Sequence, residues 1–177
     1  IFSKPDTAFL NGNKPFYIPE FSNDVQYETE LVIKIAKNGK HIQEEFAHSY
    51  YKEVALGVDF TARDLQNQFK NEGKPWELCK GFDNSAPVSN FIPISSLKNP
   101  QNICFKGLIN NKIVQEGSSA DMIFHFDKLI CFISKYITLK MGDIIFTGTP
   151  SGVGTVKIGD VFTGYIEDNL LLNFKIK

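Results

Sequence analysis

The sequence predicts an α+β fold, with an antiparallel or mixed sheet of many short strands and two clear helices. Three observations lead there. Short runs of alternating apolar residues recur between turn residues along the chain. Two segments, after Thr61 and after Ser118, carry helical spacing. The 177 residues suit one domain, 1–177, and no linker, repeat or low-complexity tract divides them.

Residues 1–24 are turn-rich. Asn11-Gly12-Asn13-Lys14-Pro15 and Ile18-Pro19-Glu20 punctuate short apolar pieces and predict an extended approach to the first strand. That strand spans residues 25–35, where Val, Ile, Tyr and Thr dominate. Tyr27, Leu31, Ile33 and Ile35 face one side, and Glu28 and Glu30 share the other. The two carboxylates then lie roughly 7 Å apart along the strand. They repel each other unless a cation or a basic group stands between them.

Lys37-Asn38-Gly39-Lys40 predicts a hairpin turn, and residues 41–56 have the mixture of a helix. Residues 55–60 read as a short strand. Thr61-Ala62-Arg63-Asp64 matches a capping box with Thr61 as N-cap, and the helix it opens runs to about Lys70 and stops near Gly73. Arg63 and Gln66 share a face of that helix, and Asp59 lies just before it. Residues 74–100, with four prolines, Trp76 and Phe82, predict a packed irregular segment with short strands. A hairpin follows around Asn110-Asn111.

Ser118 to Asp121 then caps an amphipathic helix of roughly five turns, with an apolar stripe from Met122 through Phe126 and Ile130 to Ile137. It is expected to cover a sheet, with His125 a hydrogen-bonded core residue. Strands near 142–147 and 170–176 complete the chain, with a glycine-rich connection, Gly148 to Gly154, between them.

Charge and composition exclude several classes. A net charge of −1 gives no electrostatic case for nucleic acid or an anionic membrane. No apolar run approaches the ~18 residues of a membrane span. Cys79, Cys104 and Cys131 have no metal-ligand spacing and read as reduced thiols of a cytoplasmic protein.

The remaining constellations each carry two readings. Glu28, Glu30 and Asp59 could supply oxygen ligands to a hard cation such as Mg²⁺, or form a solvated strand face and a turn. Arg63 and Gln66 suit a carboxylate or carbonyl ligand, or surface helix pairs. Lys80 could stabilise an anion, or snorkel to water. The glycines of 148–154 let backbone approach a ligand, or make a tight connection. This segment is neither a P-loop nor a dinucleotide fingerprint.

Taken together, four blocks resemble the fumarylacetoacetate hydrolase family. They are Tyr27-Glu28-Thr29-Glu30-Leu31, Gly57 through Gln66, Pro75-Trp76 with Lys80, and Gly142 through Gly154; Gln115-Glu116-Gly117 fits too. Thr61-Ala62-Arg63-Asp64 and Pro75-Trp76 point to the small single-domain branch of acylpyruvases and oxaloacetate decarboxylases or tautomerases. The resemblance implies a mixed β-sandwich-like roll with a few covering helices, a Mg²⁺ or Mn²⁺ site (Ca²⁺ also fits the oxygen ligands) and a homodimer. It implies Glu28, Glu30 and Asp59 as metal ligands and Lys80 as the catalytic lysine beside the metal. Arg63, Gln66, Thr149 and Lys4 would line the substrate cavity. It also implies a small 2-oxo acid or 1,3-dicarbonyl acid as substrate, handled through a metal-stabilised enolate in C–C hydrolysis, decarboxylation or tautomerisation. The alternatives are an isomerase of hydroxymuconate-type diacids and a non-catalytic metal-binding module. In this family a His and a Glu on a mobile lid precede the Lys-Pro element. Nothing in this chain corresponds to them, so the acid–base pair is expected ahead of Ile1 or lost.

Overall fold

A computed structural model describes every residue of the protein except Gly12, so the turn expected at Asn11-Gly12-Asn13 lies partly outside the described residues. The strands, in chain order, begin with β1 (Phe9–Asn11), β2 (Val25–Tyr27), β3 (Thr29–Ile35) and β4 (Tyr51–Val58). Next come β5 (Thr61–Ala62), β6 (Ala86–Val88), β7 (Ile92–Pro93), β8 (Cys104–Ile109) and β9 (Lys112–Ser118). The last are β10 (Ile144–Phe146), β11 (Gly154–Thr155), β12 (Val161–Ile166) and β13 (Asn169–Lys175). The α-helices are α1 (Glu44–Ala47), α2 (Arg63–Glu72), α3 (Glu77–Lys80) and α4 (Phe126–Tyr136).

The strands form three sheets. One runs β1-β6-β4-β3-β10, with β7 also paired to β4; a small one runs β11-β2-β5; the third is the antiparallel β13-β12-β8-β9. Among the described residues only β1 and β6 pair in parallel within these strands, so the first sheet is mixed, the other two are antiparallel, and the expected α+β roll is present. The main core gathers Leu31, Ile33 and Leu56 with Phe162, Leu172 and Phe174, residues of the first and third sheets. Phe16 stacks on Phe60 at 3.9 Å between centroids, and Phe162 on Phe174 at 5.2 Å. At Gly164 a Cβ would come 2.5 Å from Leu56 Cδ2, so any side chain here would have to displace the buried Leu56.

Residues 25–35 are two strands, not one. The chain bends at Glu28, so that β2 pairs with β5 and β11 while β3 pairs with β4 and β10. Leu31, Ile33 and Ile35 are buried, as their alternation required. Burying each of them contributes about 1.5–3 kcal/mol relative to exposure, which anchors β3 and fixes where its opposite face points.

Several local expectations change. Thr61 is no N-cap: it belongs to β5, its hydroxyl donates to Asp59 O, and the flanking residue of α2 is Ala62. The acid of the supposed capping box, Asp64, instead accepts from Ser22 Oγ and Asn23 N. The C-terminal end of α2 is as expected, with Gly73 at φ 65°. After the Lys37–Lys40 turn, β3 and β4 do pair, but α1 and a 3-10 turn intervene, so the connection is no tight hairpin.

The hairpin of β8 and β9 is present, with Asn110 and Asn111 at φ 51° and 67°. The long helix is shorter than expected. Ser118 caps only a 3-10 turn, accepting from Ala120 N, and α4 begins at Phe126. His125 therefore stands exposed at the N-cap of α4 and not in the core. The stripe divides as well: Phe126 and Ile130 are buried, while Tyr136 is 68% exposed. All three cysteines are free. Among the described residues no helix is long and apolar enough to cross a membrane.

Candidate metal centre

The bend at Glu28 sets up the site. Glu28 O accepts from Asp59 N, so the end of β4 is tied back to the junction between β2 and β3. This brings Glu28, Glu30 and Asp59 together: all three are buried, and one carboxylate oxygen from each lies within 4.8 Å of the others. A hard cation with oxygens at about 2.1–2.6 Å spans roughly that separation.

Basic groups surround the acids. Lys80, at the end of α3, places Nζ 2.7 Å from Glu28 Oε2 and 2.7 Å from Asp59 Oδ2. Lys80 is itself buried, and the ring of Phe2 covers its ammonium at 5.2 Å. Lys4 reaches in from the N-terminal segment. Its Nζ stands 2.7 Å from Asp59 Oδ1, donates to Ser85 Oγ at 2.9 Å and contacts Lys80 O. Arg63 forks three ways, to Glu28 Oε1 at 2.6 Å, Gln66 Oε1 at 2.5 Å and Gln26 Oε1 at 2.8 Å.

The charges respond to this packing. Burial, with Asp59 beside it, pushes the Glu30 carboxyl up to about 8, against one stabilising hydrogen bond from Gly148 N. Burial works the same way on Glu28, but Lys80 and Arg63 outweigh it and hold that carboxyl below its usual range. Burial also opposes charge on Lys80, yet Asp59 and Glu28 raise its pKa. For Lys4 burial wins over Asp59, and the pKa is lowered.

The residues present fit a divalent cation. The donor set is oxygen only, which hard cations select. Asp59 Oδ1 is buried, with the Lys4 ammonium 2.7 Å away as its one close partner among the described residues. Glu30 gains one backbone N–H and is otherwise held beside two further carboxylates. Such a group is costly to ionise without a cation.

Of the eight residues expected at the site, seven converge: Glu28, Glu30, Asp59, Lys80, Lys4, Arg63 and Gln66. Thr149 lines a neighbouring cavity with Gly148 and Pro150, and it has a structural tie as well. Its hydroxyl donates to Thr29 O at 2.9 Å and accepts from Gln115 Nε2 at 2.8 Å, so it fastens the loop to β3. Two glycines of that loop, Gly152 and Gly154, pack closely against protein, whereas the space beside Gly148 is open. Gly152 sits at φ 102°, where a Cβ would meet Val114 O at 2.4 Å. Sequence reading assigned no site role to Gln26 or Ser85, and marked Gln115 only as part of a block that fits the family, with no role. Gln26 had a usable signal, since it shares the even face of the first strand with Glu28 and Glu30. Ser85, in the proline-rich stretch, had none.

Comparison with known proteins agrees with this picture. The sequence model described as Fumarylacetoacetate (FAA) hydrolase C-terminal matches residues 1–173. The mitochondrial oxaloacetate tautomerase of Bos taurus is 38% identical over 177 residues, covering 100% of this chain and 80% of that protein. A crystal structure of fumarylpyruvate hydrolase from Pseudomonas aeruginosa in complex with Mn²⁺ and pyruvate is 31% identical and superposes with a TM-score of 0.93. It covers 99% of this chain and 77% of that one. The 5-carboxymethyl-2-hydroxymuconate delta-isomerase of Mycobacterium smegmatis is 29% identical with a TM-score of 0.88, covering 98% of this chain and 66% of that one.

Proposed function

The chain belongs to the fumarylacetoacetate hydrolase family, and we propose that it is a divalent-metal-dependent enzyme acting on small 2-oxo or 1,3-dicarbonyl acids through an enolate. The reaction is C–C hydrolysis of an acylpyruvate, or decarboxylation or tautomerisation of oxaloacetate. The observation that carries this reading is the buried trio Glu28, Glu30 and Asp59, each offering one carboxylate oxygen within 4.8 Å of the others. Mg²⁺ is our choice of ion, with Mn²⁺ an effective substitute; a solved relative holds Mn²⁺ and pyruvate.

In this reading the three carboxylates hold the ion, which supplies Lewis acidity toward the substrate's 2-oxo oxygen. Arg63 orients Glu28 and, with Gln66, forms the polar wall beside it. Lys80 holds Glu28 and Asp59 apart at hydrogen-bond distance and adds positive charge where the enolate oxygen develops. Lys4 contributes further positive charge from the other side of Asp59. Gly148 N–H fixes the orientation of Glu30.

Two further parts belong to the proposal. Exposed Ile123 and Phe124 beside Met122 support a homodimer that covers them. The three free thiols suit a reducing compartment, and we place the protein in the cytoplasm, although a curated relative is mitochondrial.

Calorimetry with Mg²⁺ and then oxalate, an unreactive 2-oxo acid mimic, tests the site. Mg²⁺-dependent oxalate binding is expected; a protein that takes up neither is a non-catalytic module. A panel of oxaloacetate, acetylpyruvate and a carboxymethyl-hydroxymuconate, each with and without EDTA, assigns the reaction. Turnover of the last alone would favour the isomerase reading, which the mycobacterial neighbour supports.

A further inference from the structure

β3 loses its partner strand where the site begins. β10 pairs with β3 through Phe146 and Val32, and Thr147 still reaches Leu31 O, but the chain then turns away into the 148–154 loop. The backbone of Thr29, the residue between Glu28 and Glu30, needs other partners on that edge, because buried peptide groups left unpaired are costly. Side chains supply them. Gln115 Oε1 accepts from Thr29 N at 2.8 Å, and Thr149 Oγ1 donates to Thr29 O at 2.9 Å. Gln115 Nε2 closes the ring by donating to Thr149 Oγ1 at 2.8 Å, and it also donates to Pro150 O at 3.0 Å.

Gln115 is 2% exposed, on β9 of a different sheet from the acids. One amide thus ties together three separate pieces of chain: the peptide between two acids, the loop carrying Gly148, and the sheet behind. We infer that Gln115 is a positioning residue. It fixes the Glu28-Thr29-Glu30 backbone against the loop so that Gly148 N–H, 2.6 Å from Glu30 Oε2, keeps that carboxylate aimed into the cluster. This inference rests on the metal reading above for its consequence but not for its geometry. Groups that orient metal-binding side chains typically change metal affinity ten- to hundredfold when replaced.

Two variants test it. Gln115→Met keeps the length and removes every polar contact. Gln115→Glu keeps the acceptor for Thr29 N and removes both donors. We expect Mn²⁺ affinity, followed by electron paramagnetic resonance, to fall ten- to hundredfold in Gln115→Met and less in Gln115→Glu. Amide hydrogen exchange at Gly148, in EDTA, is expected to accelerate in both. A purely structural glutamine would lower the melting temperature and leave Mn²⁺ affinity in the folded state unmoved. Mn²⁺ affinity within twofold of wild type in folded Gln115→Glu, with Gly148 exchange unchanged, overturns the inference. That variant alone decides if Gln115→Met does not fold. Failure of the wild-type protein to bind Mn²⁺ would instead sink the metal reading, and Gly148 exchange would still decide the clamp.

Discussion

The ammonium of Lys80 lies 2.7 Å from Asp59 Oδ2, and the same nitrogen lies 2.7 Å from Glu28 Oε2. One buried cation therefore bridges two acids, one at the β2–β3 junction and one just past the end of β4. Removing one member of a buried ion cluster typically costs about 3–5 kcal/mol, because the charges left behind lose their compensation. Lys80→Met should lower the melting temperature sharply in EDTA. Added Mn²⁺ should restore much of the loss, since it neutralises the same acids. Turnover of oxaloacetate or an acylpyruvate should fall at least 100-fold with metal bound, the scale of a lost oxyanion partner. Melting curves with and without Mn²⁺, beside steady-state rates, check this; an unchanged rate removes Lys80 from the mechanism.

Glu30 offers a cleaner separation of fold from site. Its carboxyl has a single backbone donor and is pushed up to about 8 by burial and by Asp59. In metal-free protein the folded pKa thus lies above the unfolded value of about 4.3. Between the two values the folded state binds more protons, so stability falls as pH rises from about 4.5 to 8 and then levels. Glu30→Gln resembles the protonated form. It should match wild-type stability near pH 5, lack this pH dependence in EDTA, and bind Mn²⁺ at least 100-fold more weakly. Denaturant titrations at several pH values and Mn²⁺ binding measure each part.

These acids show how far the sequence could be read. Period-two alternation places Glu28 and Glu30 on one face, and that held because Leu31, Ile33 and Ile35 are buried opposite. Alternation says nothing of a bend, and the bend at Glu28 lets Asp59 N reach Glu28 O. Lys80 could not be placed from pattern either, since α3 is four residues long and carries too little period to detect. Gln115 stands in a family-like block, but its role was hidden for a related reason. Its partners are 86 and 34 residues away, so only tertiary structure brings it to Thr29 and Thr149. The capping box at Thr61 misled because Asp64 found stronger partners across the chain, in Ser22 and Asn23.

Asp64 makes that last contact testable. Some burial opposes its charge, but donors from Ser22, Asn23 and Leu65 outweigh it and lower its pKa. The stabilisation is therefore present above the unfolded carboxylate range and is lost as pH falls through the folded value. Asp64→Ala should cost about 1 kcal/mol at pH 7, the usual net worth of such hydrogen bonds. The gap to wild type should narrow as pH falls below the unfolded carboxylate range and through the lower folded value. Paired denaturation curves across that range would show the convergence.

Arg63 separates charge from geometry. Its three donors reach Gln26, Gln66 and Glu28, a planar fork spread over a strand and a helix. Lysine carries the same charge on one nitrogen and cannot span those acceptors. Arg63→Lys should therefore keep the electrostatic compensation of Glu28 while losing its orientation. The expected result is a folded protein whose stability falls by only about 1 kcal/mol, with Mn²⁺ affinity down roughly tenfold. If the proposed substrate also depends on this wall, kcat/KM should fall further than metal affinity alone explains, with most of the change in KM. Titrating Mn²⁺ before each kinetic series separates the two effects. Arg63→Lys with wild-type metal affinity and wild-type KM would show that charge alone is what Glu28 requires from position 63.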